Sequence, residues 1–343
     1  MNNTGIVRSN LYLEHFAGDW HPESPKRLEV IHNYLDSNFI PGLQFLKPRA
    51  ASREEITLVH DQNHYDLIAQ TTSQPQCYLD ADTQTCARSF EAALFAAGGL
   101  ILLVEKVLNG ELDNGFALVR PPGHHAEASR PMGFCLFNNI AIAAAWALKE
   151  RGLSRIMIID WDLHHGNGTQ HSFYEDPRVL YFSTHLYPFY PGTGSFSETG
   201  KGQGKGYTVN VPMDPKQDDK DFVAIFQKIA QPLIKTYRPE LILVSAGFDT
   251  HVADPMQGMT VTPEGYAAMT YILKTMAEKI CDGKLVLTLE GGYHFMGQAD
   301  SVLKVLEVLT GSSSVGKELA DTDWPEPVVI NRVRKVHNTF WGL

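Results

Sequence analysis

Five short runs rich in Val, Ile and Leu punctuate the chain: GFALV at 115–119, RIMIID at 155–160, VLYFST at 179–184, ELILVSAG at 240–247 and KLVLTLE at 284–290. They lack the polar alternation of a half-exposed strand, so they predict strands buried on both faces. Stretches of helical periodicity lie between them. In TPEGYAAMTYILKTMAEKI, Thr262 is placed to cap, Pro263 suits the first turn and Glu264 sits at the positive end of the helix. This alternation predicts an α/β fold with a mostly parallel central sheet flanked by helices. No internal repeat, low-complexity tract or linker-like shift divides the chain, so residues 1–343 read as one domain.

Each run ends in a polar cluster: RPPGHHAE after 119, DWDLHHGNG after 159, STHLYPFYPGTG after 182, SAGFDTHVADP after 244 and LEGGYH after 288. In open parallel sheets the ligand crevice lies outside the carboxyl ends of the strands. The five clusters are therefore expected to converge. GTGSFSETGKGQGKG at 192–206 lacks both a GxxxxGK[ST] pattern and a following helix, and reads as a surface loop.

Composition narrows the chemistry. With 43% hydrophobic and 20% charged residues, the chain has the balance of a globular enzyme. A net charge of −10 opposes recognition of nucleic acid phosphates and suits a cationic substrate. The N-terminus has no signal-like apolar core, and LILLV at 100–104 stops at Glu105, so a cytoplasmic location is expected. Four cysteines without CxxC spacing indicate neither a zinc ribbon nor a disulfide framework, leaving His and carboxylate as metal donors.

Such donors are present. On an extended chain alternate side chains share a face, so Asp160, Asp162 and His164 would point one way if strand geometry continued into the loop. With Asp249 from another strand end, two carboxylates and one imidazole would leave zinc an open position. Taken alone, Asp162 and His164 more often cap a loop or helix. The adjacent His124 and His125 follow RPPG, in a segment the prolines keep out of a helix, and could form a general base and acid pair beside a metal. Asp160 is then left to orient one ring. Two glycines before Tyr293 let its phenol approach a developing oxyanion, although a tyrosine packed at a turn fits the fragment equally well.

Together RPPGHHAEASRPMGFCLFNNIAIAA, DWDLHHGNGTQ, YPGTGSFSETG, SAGFDTHVADPM and LEGGYH resemble the histone deacetylase superfamily, most closely its class II and bacterial deacetylase-like amidohydrolase branch, from HPESPKRL at 21–28 through Tyr293. The resemblance implies the arginase/deacetylase fold and zinc-dependent removal of acetyl or other acyl groups from lysine side chains or similar amines. It makes Asp162, His164 and Asp249 the ligands of one Zn2+ per chain, His125 the general base and then acid, His124 its electrostatic partner, and Tyr293 the residue that polarises the acyl carbonyl. Asp160 matches the support of His124. Asn167 stands where class I enzymes have an aspartate behind the second histidine.

Other positions follow from the same likeness. Phe134 and Tyr190 match the aromatic walls of an acyl-lysine tunnel, with Tyr190 replacing the usual Phe, and Gly133 matches a carbonyl that accepts the substrate amide. Asp82, with Asp80 as an alternative, resembles a rim aspartate. Asp160, Asp162, His164, Ser183 and Thr184 match an inner, structural potassium (K+) site, and Arg27 matches an arginine near the acetate exit. Met256 stands where a polyamine-selective relative carries an acidic gatekeeper, so acetylpolyamine hydrolysis is the alternative activity. His251 replaces an aspartate that a manganese ureohydrolase needs, and the complete set of residues opposes a non-catalytic acyl-binding protein. The expected partner is an acyl-lysine peptide or small acylated amine, without nucleic acid or membrane; a homo-oligomer is left open.

Overall fold

The five apolar runs form strands within two residues of their anticipated limits, and three further strands join them in one sheet. The computed structural model describes residues 1–343. Its strands are β1 (Thr4–Val7), β2 (Leu43–Leu46), β3 (Gln76–Tyr78), β4 (Gln84–Cys86), β5 (Asn114–Ala117), β6 (Ile156–Asp160), β7 (Val179–Leu186), β8 (Thr208–Met213), β9 (Leu241–Ala246) and β10 (Leu285–Leu289). Eight of them form a parallel sheet in the order β2-β1-β5-β10-β9-β6-β7-β8, while β3 and β4 make a separate antiparallel hairpin.

Unbroken apolar sequence, more than burial, marks the legible strands, since β1 and β8 are also buried throughout. β6, β9 and β10 are buried at every position and lie in the interior of the sheet. The edge strand β2 is half-exposed, and the other edge, β8, carries Thr208, Asn210 and Pro212 among its apolar residues. Proline is tolerated at an edge because one side of the strand needs no ladder donor. Helices Ser89–Leu108, Asn139–Glu150, Pro263–Ile280 and Phe295–Thr310 pack around the sheet. The anticipated cap on Pro263–Ile280 is present, with the Thr262 hydroxyl accepting from Gly265 N at 3.3 Å.

Parallel register brings the strand ends to one edge. Asp160 aligns with Ser183 of β7 on one side and Ser245 of β9 on the other, and Leu289 aligns with Ala246. The loops after β5, β6, β7, β9 and β10 therefore rise from the same edge. The segment 192–206 is mostly irregular, with one short helical turn at Gly202–Gly204 and no helix on its C-terminal side.

Candidate active site

β6 ends at Asp160, and the extended geometry anticipated through His164 does not persist. Asp160 Oδ1 accepts from Asp162 N at 3.2 Å, and Asp162 Oδ1 accepts from His164 N at 2.9 Å. Such bonds, two residues along, coil the backbone. The coil still brings Asp162 and His164 to Asp249, which follows β9.

Asp162, His164 and Asp249 each offer a donor atom within 4.8 Å of the others, and all three residues are buried. His164 Nδ1 is 3.1 Å from Asp162 Oδ1 and 3.0 Å from Asp249 Oδ2. The second contact lacks hydrogen-bond geometry, leaving Asp249 Oδ2 buried without a hydrogen-bond partner. A buried carboxylate oxygen is costly in that condition, and a cation shared by all three groups removes the cost. Two carboxylates and an imidazole suit zinc. Gly291 is required beside them, because a Cβ there would fall 2.5 Å from Asp249 Oδ2 and 2.7 Å from Asp162 Oδ2.

As protein charges alone these three side chains are frustrated. Burial pushes the Asp249 carboxyl up to about 7, reinforced by the neighbouring Asp162. Burial opposes charge on His164, but Asp162 and Asp249 carry it up to about 10. Burial also acts against the Asp162 carboxylate, yet His124 and His164 hold it below the usual range.

The two histidines after β5 are driven apart. His124 Nδ1 faces Asp160 Oδ2 at 3.1 Å, and the Tyr181 hydroxyl donates to the same oxygen at 3.0 Å. Burial lowers His124, but Asp162 and Asp160 together raise it to about 10. His125 Nδ1 lies 2.8 Å from Asn167 Oδ1. Burial, with His124 and His164 nearby, pushes His125 well below its ordinary value. One ring is thereby favoured as a cation and its neighbour as a free base, a division of roles typical of acid–base sites. The Asn167 Nδ2 donates to Glu127 and to the His125 carbonyl, which turns its oxygen toward His125 Nδ1 and leaves Nε2 unprotonated.

A cavity of about 220 Å³ opens above these groups. Its wall contains His124, His125, His164 and Tyr293, together with Gly133, Phe134, Tyr190, Met256 and Asp82. Phe134 meets the Tyr293 ring edge-on at 6.0 Å, and Tyr190 meets His125 edge-on at 5.2 Å. Gly133 has φ 57°, and a Cβ there would strike the His125 ring at 2.4 Å. Asp82 lines the cavity, whereas Asp80 Oδ1 accepts from the backbone of Asp82 and Thr83 and closes its own turn.

Arg27 lies buried behind Tyr293. Its guanidinium sits 5.1 Å from the phenol ring centre, Nε donates to the Gly292 carbonyl at 2.6 Å, and Nη1 pairs with Glu23 at 2.9 Å. Ser183 is beside Asp160 in register, with its hydroxyl 2.9 Å from His185 Nδ1; the Thr184 hydroxyl donates to the Asp160 carbonyl at 3.4 Å. His165 is occupied by Thr193 and Gln170, and His171 by Glu127, away from the cavity wall. His251 also turns aside, stacking on His294 at 5.9 Å and accepting from Ala253 N.

Four supporting residues were not anticipated. Glu290 Oε2 accepts from Gly123 N at 2.7 Å and His124 N at 3.2 Å, and its other oxygen accepts from Ser245, so one carboxylate ties three strand ends together. Asp254 Oδ2 accepts from Tyr293 N at 2.7 Å and fixes the loop that carries the phenol. Phe189 stacks on His164 at 5.5 Å, and Glu127 orients Asn167. Glu290, Asp254 and Glu127 lie inside the recognised motifs and Phe189 adjoins one, and that membership is the signal that could have marked them.

The histone deacetylase domain profile matches residues 21–309. The chain belongs to the histone deacetylase family. It is 43% identical to a probable deacetylase of Archaeoglobus fulgidus, covering 98% of both chains. It is 41% identical to histone deacetylase 5 of Arabidopsis thaliana and 36% identical to human histone deacetylase 7, spanning 54% and 40% of those longer proteins. The solved HDA15 HD domain superposes with a TM-score of 0.90 at 36% identity, over 99% of this chain and 97% of that one. This likeness establishes the arginase/deacetylase fold. No helix is long and apolar enough to cross a membrane.

Proposed function

We propose that this histone deacetylase family member is a zinc-dependent amidohydrolase that removes acetyl or other acyl groups from lysine side chains or similar amines. The reading rests on the convergence of Asp162, His164 and Asp249 with two oppositely tuned histidines and Tyr293 around one aromatic cavity. Asp162, His164 and Asp249 hold the ion, which when bound supplies Lewis-acid activation of water and of the acyl carbonyl.

The chain's own groups account for the remaining steps. His125 Nε2 takes the proton from the attacking water, because its Nδ1–H is committed to Asn167. The Tyr293 hydroxyl donates to the oxyanion as it forms, and His124, charged beside Asp160, stabilises the same negative charge. His125 then returns its proton to the leaving nitrogen as the C–N bond breaks, yielding a carboxylate and a free amine. Phe134 and Tyr190 enclose the aliphatic stem of the substrate, the Gly133 carbonyl accepts its amide hydrogen and Asp82 holds its backbone at the rim.

In this reading residues 1–343 act as one catalytic domain in the cytoplasm, Arg27 lies on the route by which acetate leaves, and Asp160, Asp162, His164, Ser183 and Thr184 hold a structural potassium ion. Met256 presents a thioether to the cavity, which disfavours a second ammonium and places acetylpolyamines behind acyl-lysines. The test is a panel of acetyl-lysine peptides, longer acyl-lysines and acetylpolyamines, with zinc-loaded and chelator-treated protein. Zinc-dependent release of acetate from the lysine substrates is expected; no hydrolysis of any acylated amine by the loaded protein overturns the reading.

A further inference from the structure

Beside the catalytic cavity lies a second concavity of about 600 Å³, and the two share Asp82 and Phe134 in their walls. Its sides come from the loop around Phe16 to Pro22 and from the β3–β4 hairpin, of which the catalytic reading uses only Asp82. Three aromatic side chains stand open to solvent there, Trp20 at 98% exposure, Tyr78 at 66% and Phe16 at 41%. Such a concentration of unburied aromatic surface is unusual for a chain that buries most of its large apolar residues.

The floor is tied to the tunnel. His21 Nε2 donates to the Asp82 carbonyl at 3.0 Å, its Nδ1 accepts from Glu23 N at 3.1 Å, and its ring meets Phe134 edge-on at 4.6 Å. The Thr83 hydroxyl accepts from Phe134 N at 3.1 Å and donates to Asp82 Oδ1. The groove and the tunnel mouth are thus held in fixed relation. Charge points to the occupant: Asp19 and Asp82 line the groove, and no lysine or arginine does.

We propose that this groove is a substrate subsite that takes a basic residue of the polypeptide flanking the acyl-lysine. The inference rests on the deacetylase reading and deepens it, by making the preferred substrate a cationic peptide segment rather than a small acylated amine. With the acyl-lysine stem in the tunnel, neighbouring residues in an extended chain step away by about 3.5 Å each across the rim. A lysine or arginine placed there lays its aliphatic stem along Trp20 and Tyr78, sets its cation against their ring faces and brings it near Asp19 and Asp82.

The experiment compares kcat/KM for an acetyl-lysine peptide flanked on both sides by arginine, the same peptide flanked by glutamate, and doubly blocked acetyl-lysine. The zinc-loaded wild type is set against the Trp20→Ala/Tyr78→Ala double variant. We expect the arginine peptide to exceed the glutamate peptide by about tenfold in the wild type, with the difference falling to about twofold or less in the variant. Turnover of blocked acetyl-lysine reports on the fold and the catalytic groups of the variant. Equal rates for the two peptides in the wild type, or a preference that survives in the double variant, overturn the subsite. If no acyl substrate is hydrolysed, the deacetylase reading fails and the groove is tested separately by titrating the two peptides. A tenfold tighter Kd for the arginine peptide that is lost in the variant supports the subsite, and any other result overturns it.

Discussion

The Nδ1 of His125 lies 2.8 Å from the side-chain amide oxygen of Asn167, so the ring that faces the cavity as a base is oriented by a neutral partner. On its other side Asn167 donates to the Glu127 carboxylate. This arrangement makes Asn167→Asp informative. A carboxylate behind His125 favours the imidazolium and raises its pKa, moving the acidic limb of the kcat/KM profile to higher pH. The new carboxylate also faces Glu127 with no hydrogen between them. We expect activity at neutral pH to fall about tenfold, with much of the loss restored in Asn167→Asp/Glu127→Gln. pH–rate profiles of the two variants check this.

Tyr293→Phe removes one hydroxyl while keeping the ring against Arg27 and Phe134. Turnover of an acetyl-lysine substrate should drop roughly a hundredfold, the usual size of losing one oxyanion donor, with little change in melting temperature. Near-full activity would remove Tyr293 from the mechanism.

Metal affinity should rise with pH. The carboxylates of Asp162 and Asp249 carry His164 up to about 10 against the effect of burial, and burial carries Asp249 to about 7. A ligand must lose its proton before it coordinates. The logarithm of the zinc binding constant should therefore climb by about one per pH unit above ~7, and more steeply below it where Asp249 is also protonated. Competition titrations with a chelator across that range, with proton release measured alongside, provide the check. A pH-independent constant would contradict this ligand set.

Met256→Glu tests the proposal that Met256 favours lysine over polyamine substrates. Met256 lines the cavity, and its backbone is held by Asp254 at 3.0 Å, so the new carboxylate is presented at the same place. We expect the ratio of kcat/KM for acetylspermidine to that for an acetyl-lysine peptide to rise about tenfold, the effect of one partly screened charge pair. A wild type that already prefers acetylspermidine by tenfold would contradict the reading of Met256.

Much of this architecture is legible in the amino-acid sequence. Buried strands such as ELILVSAG show themselves because both faces are covered, so their apolar runs are unbroken, and Thr262 with Pro263 marks a helix start through local geometry alone. Asp162, His164 and Asp249, which could hold a metal ion, and the cavity residues His124, His125 and Tyr293 could be picked out because each stands in a motif at a strand end. The edge strands β2 and β8 were not: β2 is half-exposed and mixes Gln44 into its run, while β8, although buried, is interrupted by Thr208, Asn210 and Pro212.

Sequence by itself determined the chemical types available and the strand ends on which they ride, because burial periodicity and turn chemistry are local. Only the tertiary structure decided their pairing. Gly123 and Glu290 are 167 positions apart, yet one hydrogen bond joins them, and no local pattern encodes such a contact. The same holds for the coil from Asp160 to His164, for the placing of Asp82 rather than Asp80 in the cavity wall, and for the aromatic groove beside it. Each depends on which surfaces meet when the sheet closes its core, and that is settled by packing the whole chain.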